Sequence, residues 1–252
     1  MKIIFWCEFP EQVDFNKLNS LIKFKTEIYF AANSIKEFKR IRKKIKNRNI
    51  KAGVWPVLEK KDGYWLSGFV ARDKIDKLNE FDGLRVKIDV EPPIYKGKHS
   101  LLKDIAWFAR YSIIRGKNND YLREKILNLR IKPIMSGFLL PYFIRKRYGD
   151  LHASGTKNYI CYTTFFPRAI RPLARLFYSM AIRRMERKRT FYGIGLTNNG
   201  IFENESAYEN INEFKKDIEM MVKAGANNLC VYSIEGILKR KDAGKWLDLL
   251  MC

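Results

Sequence analysis

The chain has 252 residues, 46% of them hydrophobic and 30% charged, with a formal net charge of +22. That is enough apolar material for one large core, yet no run of 18 apolar residues is present to span a bilayer. Four cysteines (Cys7, Cys161, Cys230, Cys252) without paired or zinc spacing and only two histidines, His99 and His152, exclude a disulfide framework and a histidine-rich metal site.

Strand-like and helix-like segments alternate from end to end. The first strand, 2–8, enters without a signal peptide and ends in Glu8-Phe9-Pro10; a helical pattern over 14–24 follows. A second strand, 27–32, stops at Asn33-Ser34, which can cap a basic helix starting at 35. Residues 35–51 carry nine Lys/Arg against one acid, but Phe38, Ile41 and Ile45 recur at helical spacing, so those cations cover a wet helix face. The third strand is 52–58, leading through a turn at Lys61-Asp62-Gly63 to a helix over 71–80.

The fourth strand is the most informative. In Val86-Lys87-Ile88-Asp89-Val90-Glu91 the apolar and charged residues alternate strictly, and Pro92-Pro93 ends the ladder. Helices over 101–114 and 119–129 come next, then a fifth strand, 131–137. The sixth strand is 159–164, followed by a basic helix over 168–188. The seventh strand is 191–197, a helix runs over 208–224, the eighth strand is 228–236, and 242–251 forms the last helix. Eight such units with no linker between them predict a single-domain (β/α)8 barrel over residues 1–252. In that fold a strand can bear a charged inner face, because its outer face packs on helices.

Active sites of these barrels lie at the C-terminal ends of the strands. The residues expected there are Glu8, Asn33, Trp55, Asp89, Glu91, Tyr162, Thr197, Asn198 and Glu235. Parity puts Glu8 opposite Ile3, Phe5 and Cys7, and Glu235 opposite Cys230, Tyr232 and Ile234. Asp89 and Glu91, at i and i+2 on one face, form the sharpest pair. Neighbouring carboxylates separate their pKa values, giving one proton donor and one anion, the division of labour that glycoside cleavage requires. Lys87, on the same face, is a counter-ion for Asp89. Trp55 and Trp65 offer rings on which the apolar face of a sugar can stack.

Asp82-Gly83-Leu84 followed by Ile88-Asp89-Val90-Glu91 resembles the fourth-strand signature of the family 18 glycoside hydrolases, the chitinase-like barrels. The resemblance implies that Glu91 is the general acid/base and Asp89 its helper. Lys87 stands where the family carries a further aspartate, and Asp82-Gly83 lies two residues early. On this reading Glu8 and Glu235 bind hydroxyls or supply a nucleophile, while Asn33, Trp55, Trp65, Tyr162, Thr197 and Asn198 line the substrate.

The function expected is therefore a divergent glycoside-hydrolase-like enzyme acting on a sugar or glycoconjugate, without cofactor or metal. No phosphate-binding glycine loop, dinucleotide fingerprint or nucleophile elbow is present. Two other readings stay open: a non-catalytic barrel that binds carbohydrate or an anionic surface, and a metal-dependent phosphoryl or phosphodiester enzyme. Residues 141–190 hold twelve Lys/Arg against two acids. The segment 168–189 is expected to attract an anionic membrane surface, ahead of nucleic acid, for which no recognisable module exists. The thiols suit a reducing cytoplasm, with the protein peripheral to the membrane.

Overall fold

The computed structural model describes residues 1–93, 101–151, 155–185, 189–201 and 206–251, apart from the side chains of 101–105 and 108. His99, His152 and Cys252, and residues 186–188 of the basic segment, lie outside that description. Strands β1 (Lys2–Cys7), β2 (Thr26–Ala32), β3 (Ile50–Pro56), β4 (Lys87–Asp89), β5 (Ile134–Phe138), β6 (Thr156–Ile160), β7 (Thr190–Gly195) and β8 (Asn228–Tyr232) alternate with helices. The helices are α1 (Phe15–Leu21), α2 (Ile35–Lys43), α3 (Arg72–Asp76), α4 (Leu101–Ile113), α5 (Asn119–Asn128), α6 (Tyr142–Arg145), α7 (Arg171–Arg183), α8 (Ile211–Lys223), α9 (Ile234–Leu238) and α10 (Ala243–Asp248). The strands form one sheet in the order β3-β2-β1-β8-β7-β6-β5-β4. A parallel bridge from Val54 to Val86 joins the two ends of that order, as a (β/α)8 barrel requires.

The chain gathers into two compact units, 1–31 with 39–53 and 158–252, and 32–38 with 54–157. In the first, β1 pairs in parallel with β2 and β8, so that Trp6 lies level with Tyr29 and with Tyr232. Odd residues of β1 face outward: Phe5 meets Phe24, in the turn after α1, while on β2 Phe30 stacks on Phe15 of α1. The opposite face carries Trp6, whose ring meets Tyr29 edge-on at 5.3 Å, and Glu27, which accepts from Tyr29 at 2.7 Å and from Lys2 at 2.7 Å. Large rings on this face need bare backbone beside them. A Cβ on Gly53 would lie 2.5 Å from the Tyr29 ring, and one on Gly193 would lie 3.1 Å from that of Tyr162.

Helices α7 and α8 are joined by charge. Arg168 and Arg171 pair with Glu213 at 3.0 and 2.6 Å, and Arg175 donates to Asp217 at 2.5 Å. Asp217 is fully buried and also accepts from Thr163 and Tyr208, both at 2.5 Å. Three donors around one carboxylate meet the requirement that a buried charge be paired and hydrogen-bonded.

In the second unit β4 pairs with β5, setting Lys87, Ile88 and Asp89 level with Ile134, Met135 and Ser136. Ser34 and Glu37 form a reciprocal cap on α2: Glu37 N–H donates to Ser34 Oγ at 3.3 Å, and Asn33 N–H to the Glu37 carboxylate at 2.8 Å. Phe38 and Ile41 of α2 are buried while Lys36, Lys39, Arg40, Arg42 and Lys43 are exposed, the wet face that periodicity predicts. Asp150 is buried between Arg145 and Lys157.

Three strands depart from the sequence expectation by three residues or more at one end or both. β6 lies three residues earlier, at Thr156–Ile160, leaving Tyr162 beyond the strand. β8 ends at Tyr232, and Ile234–Leu238 is helical, so Glu235 sits in the first turn of α9 rather than on a strand. β5 starts at Ile134, three residues later than periodicity suggests.

Candidate active site

The C-terminal end of β4 builds the first cluster. Lys87, Asp89 and Glu91 are 2%, 4% and 7% exposed. Lys87 Nζ donates to Asp89 Oδ2 at 2.5 Å, which places the two side chains on one face as i, i+2 alternation demands. The ammonium lies 3.1 Å from the centre of the Trp55 ring, a cation–π contact in a desolvated setting. Burial raises the Asp89 pKa above its ordinary value, and the Lys87 charge and a Ser136 hydroxyl contact oppose that rise. Glu91 lies near enough to Tyr148 for its charge to reinforce the burial that pushes that phenol up. Tyr148 Oη lies 3.2 Å from Ser112 Oγ.

The second cluster belongs to the other unit. Glu8, 4% exposed, accepts a hydrogen bond from Tyr232. Tyr232 therefore shares a side with Glu8, contrary to the parity that set it facing the helices. Its ring also stacks on Tyr162 at 5.7 Å, which brings the displaced Tyr162 beside the Glu8 group.

Glu235 is 1% exposed and turned to the backbone. Its Oε1 accepts from the N–H of Glu8 at 3.0 Å and of Phe9 at 3.3 Å, closing the end of β1. Burial raises its pKa, and those N–H groups pull it back. Its carboxylate also touches the Cys7 thiol, whose pKa is raised by burial first and by Glu235 next. Since β1 residues of that parity face outward, this carboxylate lies on the opposite side of the strand from the Glu8 side chain.

The remaining candidates divide. Thr197 is buried and committed, donating to Ser233 O at 2.6 Å and accepting from Ser233 N–H at 2.9 Å. Asn198 is half-buried and packs close to Gly236. Asn33 is exposed, with its backbone N–H used in the α2 cap. Trp55 is buried over Lys87, and Trp65 is half-buried, meeting Tyr64 edge-on at 5.5 Å.

Sequence reasoning missed Tyr232 and Ser136 as partners of the carboxylates, and Tyr148 as a phenol within reach of the Glu91 charge. Ser136 carried a readable signal, a hydroxyl at the end of the apolar run Ile134-Met135. Among the described residues, no group of three His, Cys, Asp or Glu side chains is arranged to hold a metal ion.

Neither known sequence families nor characterised proteins give a match to this chain. Solved structures do. The glycoside hydrolase domain of PgaB (BpsB) from Bordetella bronchiseptica is similar over 99% of this chain and 98% of its own, with a TM-score of 0.65 at 11% identity. A family GH18 chitinase from Cycas revoluta covers 99% of this chain and 100% of its own at 10% identity, with a TM-score of 0.47. A Schiff-base-forming fructose-1,6-bisphosphate aldolase gives 0.47 at 11% identity, over 99% of this chain and 92% of its own. The first likeness shows that the chain has the (β/α)8 barrel fold. A barrel of this kind does not by itself fix the reaction, which depends on the side chains at the strand ends.

Proposed function

We propose that the protein is a glycoside-hydrolase-like enzyme acting on a sugar or glycoconjugate, with Glu91 as general acid/base and Asp89 as its electrostatic partner. The observation that carries this reading is the buried Lys87–Asp89 pair under Trp55 at the end of β4, with Glu91 buried two residues further on. Glycoside cleavage needs a proton for the leaving oxygen and negative charge beside an anomeric centre turning cationic. Burial raises the Asp89 pKa, and Lys87 and the Ser136 hydroxyl oppose that rise; within this proposal Glu91 handles the proton. The whole-length likeness to the PgaB glycoside hydrolase domain supports a carbohydrate substrate.

Within this proposal Glu8, oriented by Tyr232, binds a substrate hydroxyl or supplies a nucleophile. In the unit that holds Glu91, Trp65 offers an aromatic face and Asn33 an exposed amide. Glu235 acts through the backbone of Glu8 and Phe9 as a positioning residue.

A panel of aryl glycosides and oligosaccharides assayed with wild type and Glu91→Gln tests the reading. Loss of a positioned general acid lowers turnover by about 10²–10⁴-fold. Wild-type turnover by Glu91→Gln on a substrate that wild type cleaves would end it. Saturable oligosaccharide binding without turnover would select a non-catalytic carbohydrate-binding barrel instead.

A further inference from the structure

We propose that the outer face of α7 docks on an anionic lipid surface. Ile170, Leu173, Leu176, Phe177 and Met180 are 45%, 66%, 58%, 59% and 47% exposed. Their spacing of three and four residues puts them on one side of the helix. The opposite side, Arg171, Ala174, Tyr178 and Ile182, is buried. Phe165 and Phe166, just before the helix, are also exposed. A soluble helix ordinarily turns its apolar stripe to the core; this one has a buried stripe and a second, larger one in water.

The charges select the occupant. Arg183 and Arg184 are both exposed and, at 100° per residue, Arg183 borders one edge of the apolar stripe while Arg184 falls in line with it, just beyond its C-terminal end. Arg168, Arg171 and Arg175 are engaged by Glu213 and Asp217 of α8. No acidic residue occurs in 168–185. A second copy seated on this stripe would bring only arginines to meet Arg183 and Arg184. Lipid phosphates and carboxylates would neutralise them while acyl chains take up the leucines and phenylalanine. Thirteen residues reach about 20 Å at 1.5 Å each, short of a hydrocarbon core of about 30 Å. The helix therefore lies in the interface. Among the described residues no helix is long and apolar enough to cross a membrane.

The test is co-sedimentation of the full chain with vesicles of phosphatidylcholine alone or mixed with phosphatidylserine, at low and high salt. The expected result is binding to the anionic vesicles, weakened as salt shortens the Debye length from about 10 Å at 0.1 M to about 3 Å at 1 M. Arg183→Ser/Arg184→Ser should lower the partition coefficient by about thirtyfold, taking roughly 1 kcal/mol for each arginine. Leu173→Ser/Phe177→Ser, which touches exposed positions only, should lower it by about tenfold or more. Thermal melting of each variant, matching wild type, confirms that the fold is kept. No binding to phosphatidylserine vesicles at low salt overturns the proposal, as does wild-type binding by Leu173→Ser/Phe177→Ser. Equal affinity for neutral vesicles removes the arginines' part and overturns it too. Self-association abolished by Leu173→Ser/Phe177→Ser, without vesicle binding, would assign the stripe to a second copy instead.

Discussion

Replacing Lys87 by Met would keep a flexible stem of similar length under Trp55 while deleting the ammonium. The 2.5 Å bond to Asp89 and the cation–π contact at 3.1 Å from the ring centre disappear with it. Asp89, 4% exposed, is left as an unpaired buried carboxylate. Breaking a buried pair from one side costs about 3–5 kcal/mol. For a chain of this size that lowers the melting midpoint by roughly 6–20 °C, at about 2–4 °C per kcal/mol.

The loss should depend on pH with a definite sign. The folded-state pKa of Asp89 is already raised above 3.8 by burial, and removing Lys87 takes away the strongest influence that lowers it. A carboxyl with a raised folded pKa binds its proton more tightly when folded. Its favourable contribution is complete below the unfolded value and is lost as pH rises through the folded one. The variant's deficit should thus be small near pH 4 and grow toward neutrality. Adding Asp89→Leu should recover most of it, since an apolar pair can replace a buried ion pair at little cost. Midpoints by circular dichroism for both single variants and the double, across that pH range, give the cycle. A Lys87→Met midpoint within about 1 °C of wild type at pH 7, or a deficit that does not shrink toward pH 4, would refute the reasoning.

Glu235→Gln keeps an acceptor for the N–H groups of Glu8 and Phe9 and should leave stability and turnover near wild type, whereas Glu235→Ala should cost about 1–3 kcal/mol by denaturant midpoint. A thousandfold rate loss in a folded Glu235→Gln would instead make Glu235 catalytic. Asp217→Ala strips Thr163, Tyr208 and Arg175 of their common acceptor and should destabilise by about 3–5 kcal/mol, read by thermal melting. Gly53→Ala, whose new methyl would meet the Tyr29 ring at 2.5 Å, should cost about 1–3 kcal/mol, and a melt unchanged from wild type would contradict the packing described for β2 and β3.

The strand rhythm was legible because most strands carry continuous apolar runs bounded by polar turns. It failed where polar side chains are buried with partners that sequence does not reveal. Thr156-Lys157-Asn158 reads as a loop, yet Lys157 and Asn158 are buried in β6, the lysine held by Asp150. Ser233-Ile234-Glu235-Gly236 reads as a continued strand, and a short apolar run cannot by itself separate strand from helix. The Lys87–Asp89 relation followed from period-two alternation and is seen as a hydrogen bond. The Tyr232–Glu8 bond joins residues 224 positions apart and has no local signal. Likewise the cations of the basic segment gave no hint that Arg168, Arg171 and Arg175 are matched by acids on α8.

Those three arginine attachments have a mechanical consequence. Arg171 and Arg175 grip α7 along its inner edge at two successive turns, Arg168 holds the turn that leads into it, and together they keep it from rolling about its own axis. The helix cannot roll its leucines and Phe177 inward in response to salt or temperature without giving up ion pairs, one of them to a fully buried carboxylate. The exposed stripe is thus a fixed attribute of the folded chain, present before any partner arrives. It should make the native protein adhere to alkyl-coated resins, more strongly as excluded salts such as sulfate raise the cost of wetting it.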